Sequence, residues 1–181
     1  IDEEAAKLLV SELSPTDGII AEGLLGFIRN FMNQANHFIN KIWTYPLQIK
    51  DCAKAGSESE LDYKFPLMVN TKSNIVPDVK LGSTGQREIV NMAFRVISMR
   101  CLGLHDFPLA LDEFGSALDV EHKHAATYAV KTLIESSSFT QLFMVSHDYG
   151  QYGGFTNMEV CVLDGRNITV PDKYNQHVVI E

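Results

Sequence analysis

The apolar positions of this chain change period several times, and each change marks an element. Over Ile1–Leu13, Ala6, Leu9, Val10 and Leu13 share one face at helical spacing, and Ser14-Pro15 breaks the run. A longer helix is predicted over Ile19–Trp43, where Ile20, Leu24, Phe27, Phe31, Phe38 and Ile42 recur in steps of three, four or seven. At ~1.5 Å per residue it would extend about 37 Å. Pro46 holds Tyr45 extended and ends it. The period then falls to two. Tyr45, Leu47 and Ile49 alternate with Pro46 and Gln48, and within Leu61–Val69, Leu61, Tyr63 and Phe65 alternate with Asp62 and Lys64. The small, polar stretch Asp51–Glu60 lies between them, which predicts a strand pair with a loose connection. Asn70–Lys80 reads as loop, with Pro77 excluding a helix.

The second half alternates strand and helix. Gly85–Gly103 is apolar nearly all round (Ile89, Val90, Ala93, Phe94, Val96, Ile97, Cys101, Leu102), the pattern of a helix buried on most sides. Gly103 stops it. In Phe107–Leu111 the run Leu109-Ala110-Leu111 does not alternate, as expected of a buried parallel strand. A helix over Val120–Ser136 follows, with Asp119 as its N-cap, and then a second buried strand over Gln141–Val145. Strand, helix and strand joined by short links form a parallel α/β arrangement. Beyond it, Tyr149–Asn157 is irregular, and Glu159–Leu163 and Asn167–Val170 flank Asp164-Gly165, a hairpin turn signal.

Composition sharpens this picture in three ways. With 181 residues and 45% apolar content, the chain is one domain or one large lobe with a real core. It opens on Ile1, not Met, which suggests a piece of something longer. The formal charge of −8 argues against a broadly basic nucleic-acid surface, while leaving room for a local patch. No run is long and apolar enough for a membrane span, and no leader pattern is present. Cys52, Cys101 and Cys161 are far apart and odd in number, which fits reduced thiols in a cytoplasmic protein better than a disulfide frame or a zinc site.

Three short motifs carry candidate chemistry. Leu81-Gly82-Ser83-Thr84-Gly85-Gln86 opens the helix that ends at Gly103. Ser83 with Gln86 has the spacing of a capping box. The same helix start also offers unpaired N–H groups and partial positive charge to a phosphate, with Gly85 permitting close approach. Asp112-Glu113 ends the Leu109–Leu111 strand: a solvated turn on one reading, and on the other an acid pair relieved by a cation such as Mg²⁺. Ser146-His147-Asp148 ends the next strand. His147 is either structural or a hydrogen-bond donor to a transferring phosphate. His105, His122 and His124 read as surface residues, and no metal-ligand spacing of histidines occurs.

In their order and spacing these motifs resemble the C-terminal half of an ATP-binding-cassette ATPase head. Ser83–Gln86 matches the signature motif, Leu109–Glu113 the Walker B strand, Ser116–Asp119 the D-loop and His147 the switch histidine. Within the superfamily the chain is similar to the branch with coiled-coil insertions: the structural-maintenance-of-chromosomes (SMC) proteins and the SbcC/Rad-type double-strand-break repair ATPases. Gln86 suits the repair branch, whereas Gly82 and Thr84 depart from the usual Leu and Gly. No G-x-x-x-x-G-K-[ST] occurs, so the Walker A lobe is expected elsewhere in the protein, before a coiled coil.

The resemblance implies an α/β fold, the C-terminal lobe of a P-loop head with a mainly parallel sheet, flanking helices, a coiled-coil stub and a small antiparallel strand pair. Residues 1–44 would be the stub and connecting helix, and 45–181 the ATPase lobe. It implies ATP and Mg²⁺ as cofactors. Asp112 would hold the metal, and Glu113 and His147 would be catalytic. Ser83, Thr84, Gly85, Gln86 and Asp119 would bind nucleotide, in part across a dimer of heads. The expected partners are the N-terminal Walker A lobe, a second head, DNA and a nuclease subunit, with no membrane. The expected function is an ATPase controlling DNA repair or recombination, and the alternative is a chromosome-structuring DNA tether.

Overall fold

The computed structural model describes residues 2–14, 18–51, 64–72, 74–136, 138–147, 161–164 and 167–169; for 162–164 and 167–169 this is backbone alone. The chain divides into two units, Ile1–Ser146 and His147–Glu181.

The first unit begins with helix α1 (Glu3–Glu12), which is exposed along its whole length, including Leu9 and Val10, as is Leu13 after it. Helix α2 (Ile19–Ile39) changes character midway. Ile20, Leu24 and Phe27 are exposed, while Phe31, Met32, Ala35, Phe38 and Ile39 are buried. The apolar stripe that predicts the helix therefore meets a core only in its second half. The helix also ends short of Trp43. Lys41 and Ile42 donate to the carbonyls three residues back, which tightens the backbone out of α-geometry.

Three short strands form an antiparallel sheet in the order β1 (Leu47–Ile49), β2 (Leu67–Val69) and β3 (Ile75–Val76). Leu47 pairs with Val69, and Leu67 with Val76. β3 lies in the stretch expected to be loop. A turn closed by Val69 N–H on the Asn74 carbonyl, with Asn70 at φ 62°, folds Ile75-Val76 back onto β2 before Pro77 ends the pairing. A single 3-10 turn, Val79–Leu81, follows. Part of the predicted second strand, Leu61–Tyr63, lies outside the described residues, as does most of the Asp51–Glu60 connection.

Asn36 fastens α2 to this sheet. Its buried side-chain amide donates to the Ile49 carbonyl and accepts from the Ile49 N–H, both at 2.8 Å. The side chain thus supplies the pairing that a further strand would have given to β1. Asn36→Ala should leave two backbone groups without partners and cost about 2–4 kcal/mol. Thermal unfolding should show this as a midpoint lowered by roughly 5–15 °C. An unchanged midpoint would contradict it.

Helix α3 (Thr84–Cys101) packs on α2, with Phe94 between Phe31 and Phe65 at centroid distances of 5.3 and 5.9 Å. Gly103 ends it at φ 68°, as its position predicts. Strand β4 (Leu109–Asp112) then pairs in parallel with β5 (Leu142–Val145), in the register Leu109 to Leu142 through Asp112 to Val145. Helix α4 (Val120–Glu135) connects them and buries Ala126, Ala129, Val130 and Leu133.

Two expectations are corrected here. Among the described residues two strands pair in parallel, whereas a three-stranded sheet and a two-stranded hairpin are antiparallel, so the sheet structure is not mainly parallel. β4 is also not buried on both faces. Leu109 and Leu111 are buried, whereas Ala110 and Asp112 face outward beside Phe143 and Val145, which are 62% and 58% exposed. In the second unit, β6 (Val162–Asp164) and β7 (Asn167–Thr169) form an antiparallel hairpin, with Asp164 opposite Asn167. Among the described residues no helix is long and apolar enough to cross a membrane.

Candidate functional site

The start of α3 has the predicted capping box. Ser83 Oγ accepts from Gln86 N–H at 3.3 Å, and Gln86 Oε1 accepts from Ser83 N–H at 2.9 Å. Gln86 is therefore committed to the turn itself. The N–H groups of Thr84 and Gly85, at the first two helical positions, have no intrahelical acceptor. Gly85 is buried, and the reason is steric. A Cβ there would lie 3.1 Å from the Ala117 carbonyl oxygen, 3.3 Å from Leu118 and 3.7 Å from the Trp43 ring. The helix start is thus pressed directly against the turn that follows the acid pair.

That turn, Glu113–Asp119, is held from α3 by a residue the sequence reading missed. Glu88 accepts from Gly115 N–H through one carboxylate oxygen at 2.5 Å, and from Ala117 N–H through the other at 3.4 Å. Its position one turn into the helix, after the capping box, was the available clue. A carboxylate spanning two backbone donors fixes a loop more firmly than a neutral group would. Arg95, two turns along α3, donates to the Ala110 carbonyl at 2.6 Å and ties the same helix to β4.

Asp112 ends β4 on the open face of the sheet and is exposed. Strand alternation sends Asp112 outward and leaves Glu113 half-buried. Glu113 is at φ 50°, a left-handed conformation unusual for a side-chain-bearing residue, and its N–H donates to the Val145 carbonyl at 2.9 Å. A cleft of about 620 Å³ adjoins it, lined by Glu88, Met92, Arg95, Asp112, Phe143 and Val145 among others. Among the described residues no three His, Cys, Asp or Glu side chains could cage a metal. An exposed carboxylate at a strand end nonetheless suits Mg²⁺, which keeps several waters and substrate phosphates in its shell.

Asp119 caps α4 as predicted, accepting from His122 N–H at 3.0 Å. His122 is the largest departure from expectation. It is not a surface residue but 1% exposed, with Nδ1 2.5 Å from Asp119 Oδ2. Nothing local marks it for burial, because Glu121, Lys123 and His124 surround it in sequence and none of them is buried. The His122 backbone N–H, and then its ring, hold the Asp119 carboxyl below the ordinary carboxylate range. A carboxyl shifted downward on folding adds stability above its unfolded value of 3.8 and loses it as pH falls through the lower folded value. The stability difference between wild type and Asp119→Asn should therefore be largest above about pH 4 and shrink below it. Urea unfolding across pH 2.5–6 would reverse this conclusion if the gap widened on acidification. His147 lies in the second unit and is exposed, and His105 and His124 are exposed as expected.

No protein-family profile matches the chain, and neither does any curated protein sequence. Solved structures do. One is the Smc head domain of Pyrococcus furiosus with an extended coiled coil, bound to the C-terminal domain of ScpA. It is 14% identical, over 66% of this chain and 29% of that one, with a TM-score of 0.46, so the chain spans under a third of that relative's length. A second comes from work on ATP-driven dimerization and DNA-stimulated activation of SMC ATPases. It is 14% identical, over 80% of this chain and 86% of that one, with a TM-score of 0.50. At this identity the likeness is one of fold: the chain has an α/β fold similar to that of an SMC ATPase structure.

Proposed function

We propose that this chain is the C-terminal lobe of an SMC-like ATP-binding-cassette head, of the nuclease-associated type that works in DNA repair or recombination. One observation carries the reading: a capped helix start of sequence Ser-Thr-Gly-Gln packs through Gly85 onto the turn that leaves a strand ending in Asp-Glu. Separately, each motif is common. Their direct contact within one unit is what a head needs, because the nucleotide-sensing helix and the hydrolytic strand must report to each other.

Bound MgATP would supply the scissile phosphoanhydride and the cation that neutralises it. Asp112, exposed at the strand end, would hold that cation through one oxygen or through water. Glu113, fixed by its backbone bond to Val145, would orient a water and accept its proton. His147 would donate a hydrogen bond to charge developing on phosphate. Ser83 and the N–H groups of Thr84 and Gly85 would serve the pocket of an opposing head, where the helix dipole favours an anion. Asp119 is exposed enough to meet that head as well: its side chain is 62% exposed while bonded to His122. Phe143 and Val145, on the open face beside Asp112, form the surface on which we place the Walker A lobe.

The chain alone is expected to show no ATP turnover, because it lacks a phosphate-cradling Walker A loop. Adding the N-terminal lobe of the same protein should restore turnover, with a rate that rises more than linearly with protein concentration as heads pair. Turnover by the 181 residues alone would contradict the assignment. A dimeric nuclease bound at the base of α2 would place the protein in the repair branch, and a bridging subunit there would place it with chromosome-structuring relatives.

A further inference from the structure

We propose that His122 is a positioning residue that couples the Asp119 turn to the root of helix α2, through a bridge from Asp119 to Thr44. This deepens the reading above and rests on it.

The bridge is continuous. Asp119 gives both carboxylate oxygens to His122, one to its backbone N–H at 3.0 Å and one to Nδ1 at 2.5 Å. On the far side of the ring, Nε2 faces Thr44 N–H at 3.3 Å and Thr44 Oγ1 at 3.1 Å. A backbone N–H can only donate, so Nε2 accepts and the ring proton sits on Nδ1, directed at Asp119. Trp43 stacks on the ring at a centroid distance of 4.1 Å, and Tyr45 approaches at 5.6 Å. Three consecutive residues after α2 thus grip one imidazole. Trp43 also lies 3.7 Å from where a Cβ on Gly85 would stand, so the start of α3 joins the same cluster.

A purely structural histidine needs burial and one partner. His122 instead links two segments 78 residues apart, each of which does something else. Asp119 is an exposed acid at a candidate head-to-head surface, and Thr44 belongs to the short link that joins α2 to β1. A shift of Asp119 on head pairing would pull on Nδ1 and be passed to Thr44 by a rigid ring. Linkage makes the effect reciprocal, so a change in α2 direction would alter the affinity of heads for each other.

The test uses the complete head, with ATP-driven pairing and Trp43 emission as readouts; Trp43 is the single tryptophan of this chain, and its signal is assigned by difference from Trp43→Phe. His122→Phe keeps a ring against Trp43 and removes both nitrogens. It should raise the ATP concentration for half-maximal pairing by about fivefold or more, and abolish the ATP-induced change in Trp43 emission. Thr44→Val, at an exposed position where unfolding is no concern, should shift both readouts in the same direction. His122→Asn keeps an amide N–H near the Nδ1 position but loses the bonds to Thr44, so it should shift both readouts as Thr44→Val does. Unaltered pairing and emission in both His122→Phe and Thr44→Val would overturn the bridge while leaving the head assignment standing. A wild-type head that never pairs with ATP would overturn both.

Discussion

Replacing Glu113 by Gln in the complete head is expected to lower ATP turnover by about 10²–10⁴-fold, the contribution of a positioned general base. Pairing of heads by ATP should persist and become long-lived. The structure makes this substitution informative. Glu113 sits at φ 50° with its N–H on the Val145 carbonyl, and both features belong to the backbone. Gln has the same size and can adopt the same conformation, so the fold should be retained while the acid is lost. Single-turnover hydrolysis together with sedimentation of the ATP-bound species would decide it. Wild-type turnover in Glu113→Gln would remove Glu113 from the catalytic role.

The second large effect is expected from Ser83→Arg, which should prevent ATP-driven pairing while leaving the lobe folded. Ser83 is exposed at the N-cap of α3, and the loss of its bond to Gln86 N–H should cost about 1 kcal/mol. That is small against the stability of a core-packed helix. The guanidinium, however, would stand where the helix dipole is positive and where an opposing phosphate is expected. Its bulk, filling the space that phosphate would occupy, would then block closure instead of unfolding the chain. Light scattering with ATP, alongside a thermal melt, separates the two effects. Pairing that survives Ser83→Arg would show that the α3 start does not face another head.

The local elements were legible because each is specified by residues a few positions apart. The capping box needs only Ser83 and Gln86, the α4 cap only Asp119 and the backbone of His122, and the end of α3 only Gly103. The parallel pairing of β4 with β5 followed from strand, helix and strand in succession. Other features depend on contacts that no local pattern specifies. Ile75-Val76 was too short to show a period and became a strand by lying against β2. The apolar Leu109–Leu111 run implied burial on both faces, whereas exposure of Ala110 depends on what covers the sheet. His122, in a charged stretch, was buried by Trp43 and Thr44 from the far end of the unit.

The sequence by itself determined the caps of α3 and α4, the stop of α3 at Gly103, and where the acids follow a strand. These are properties of dihedral preference and hydrogen bonding within a turn or two. Only the tertiary structure decided that Gly85 presses on Ala117, that Glu88 clamps the turn at Gly115, and that Asp119 reaches Thr44 through His122. Each of those contacts joins segments separated by more than twenty residues or relays between them. Their partners are chosen by how the helices pack and which surfaces that packing excludes from water, and no local periodicity encodes that choice.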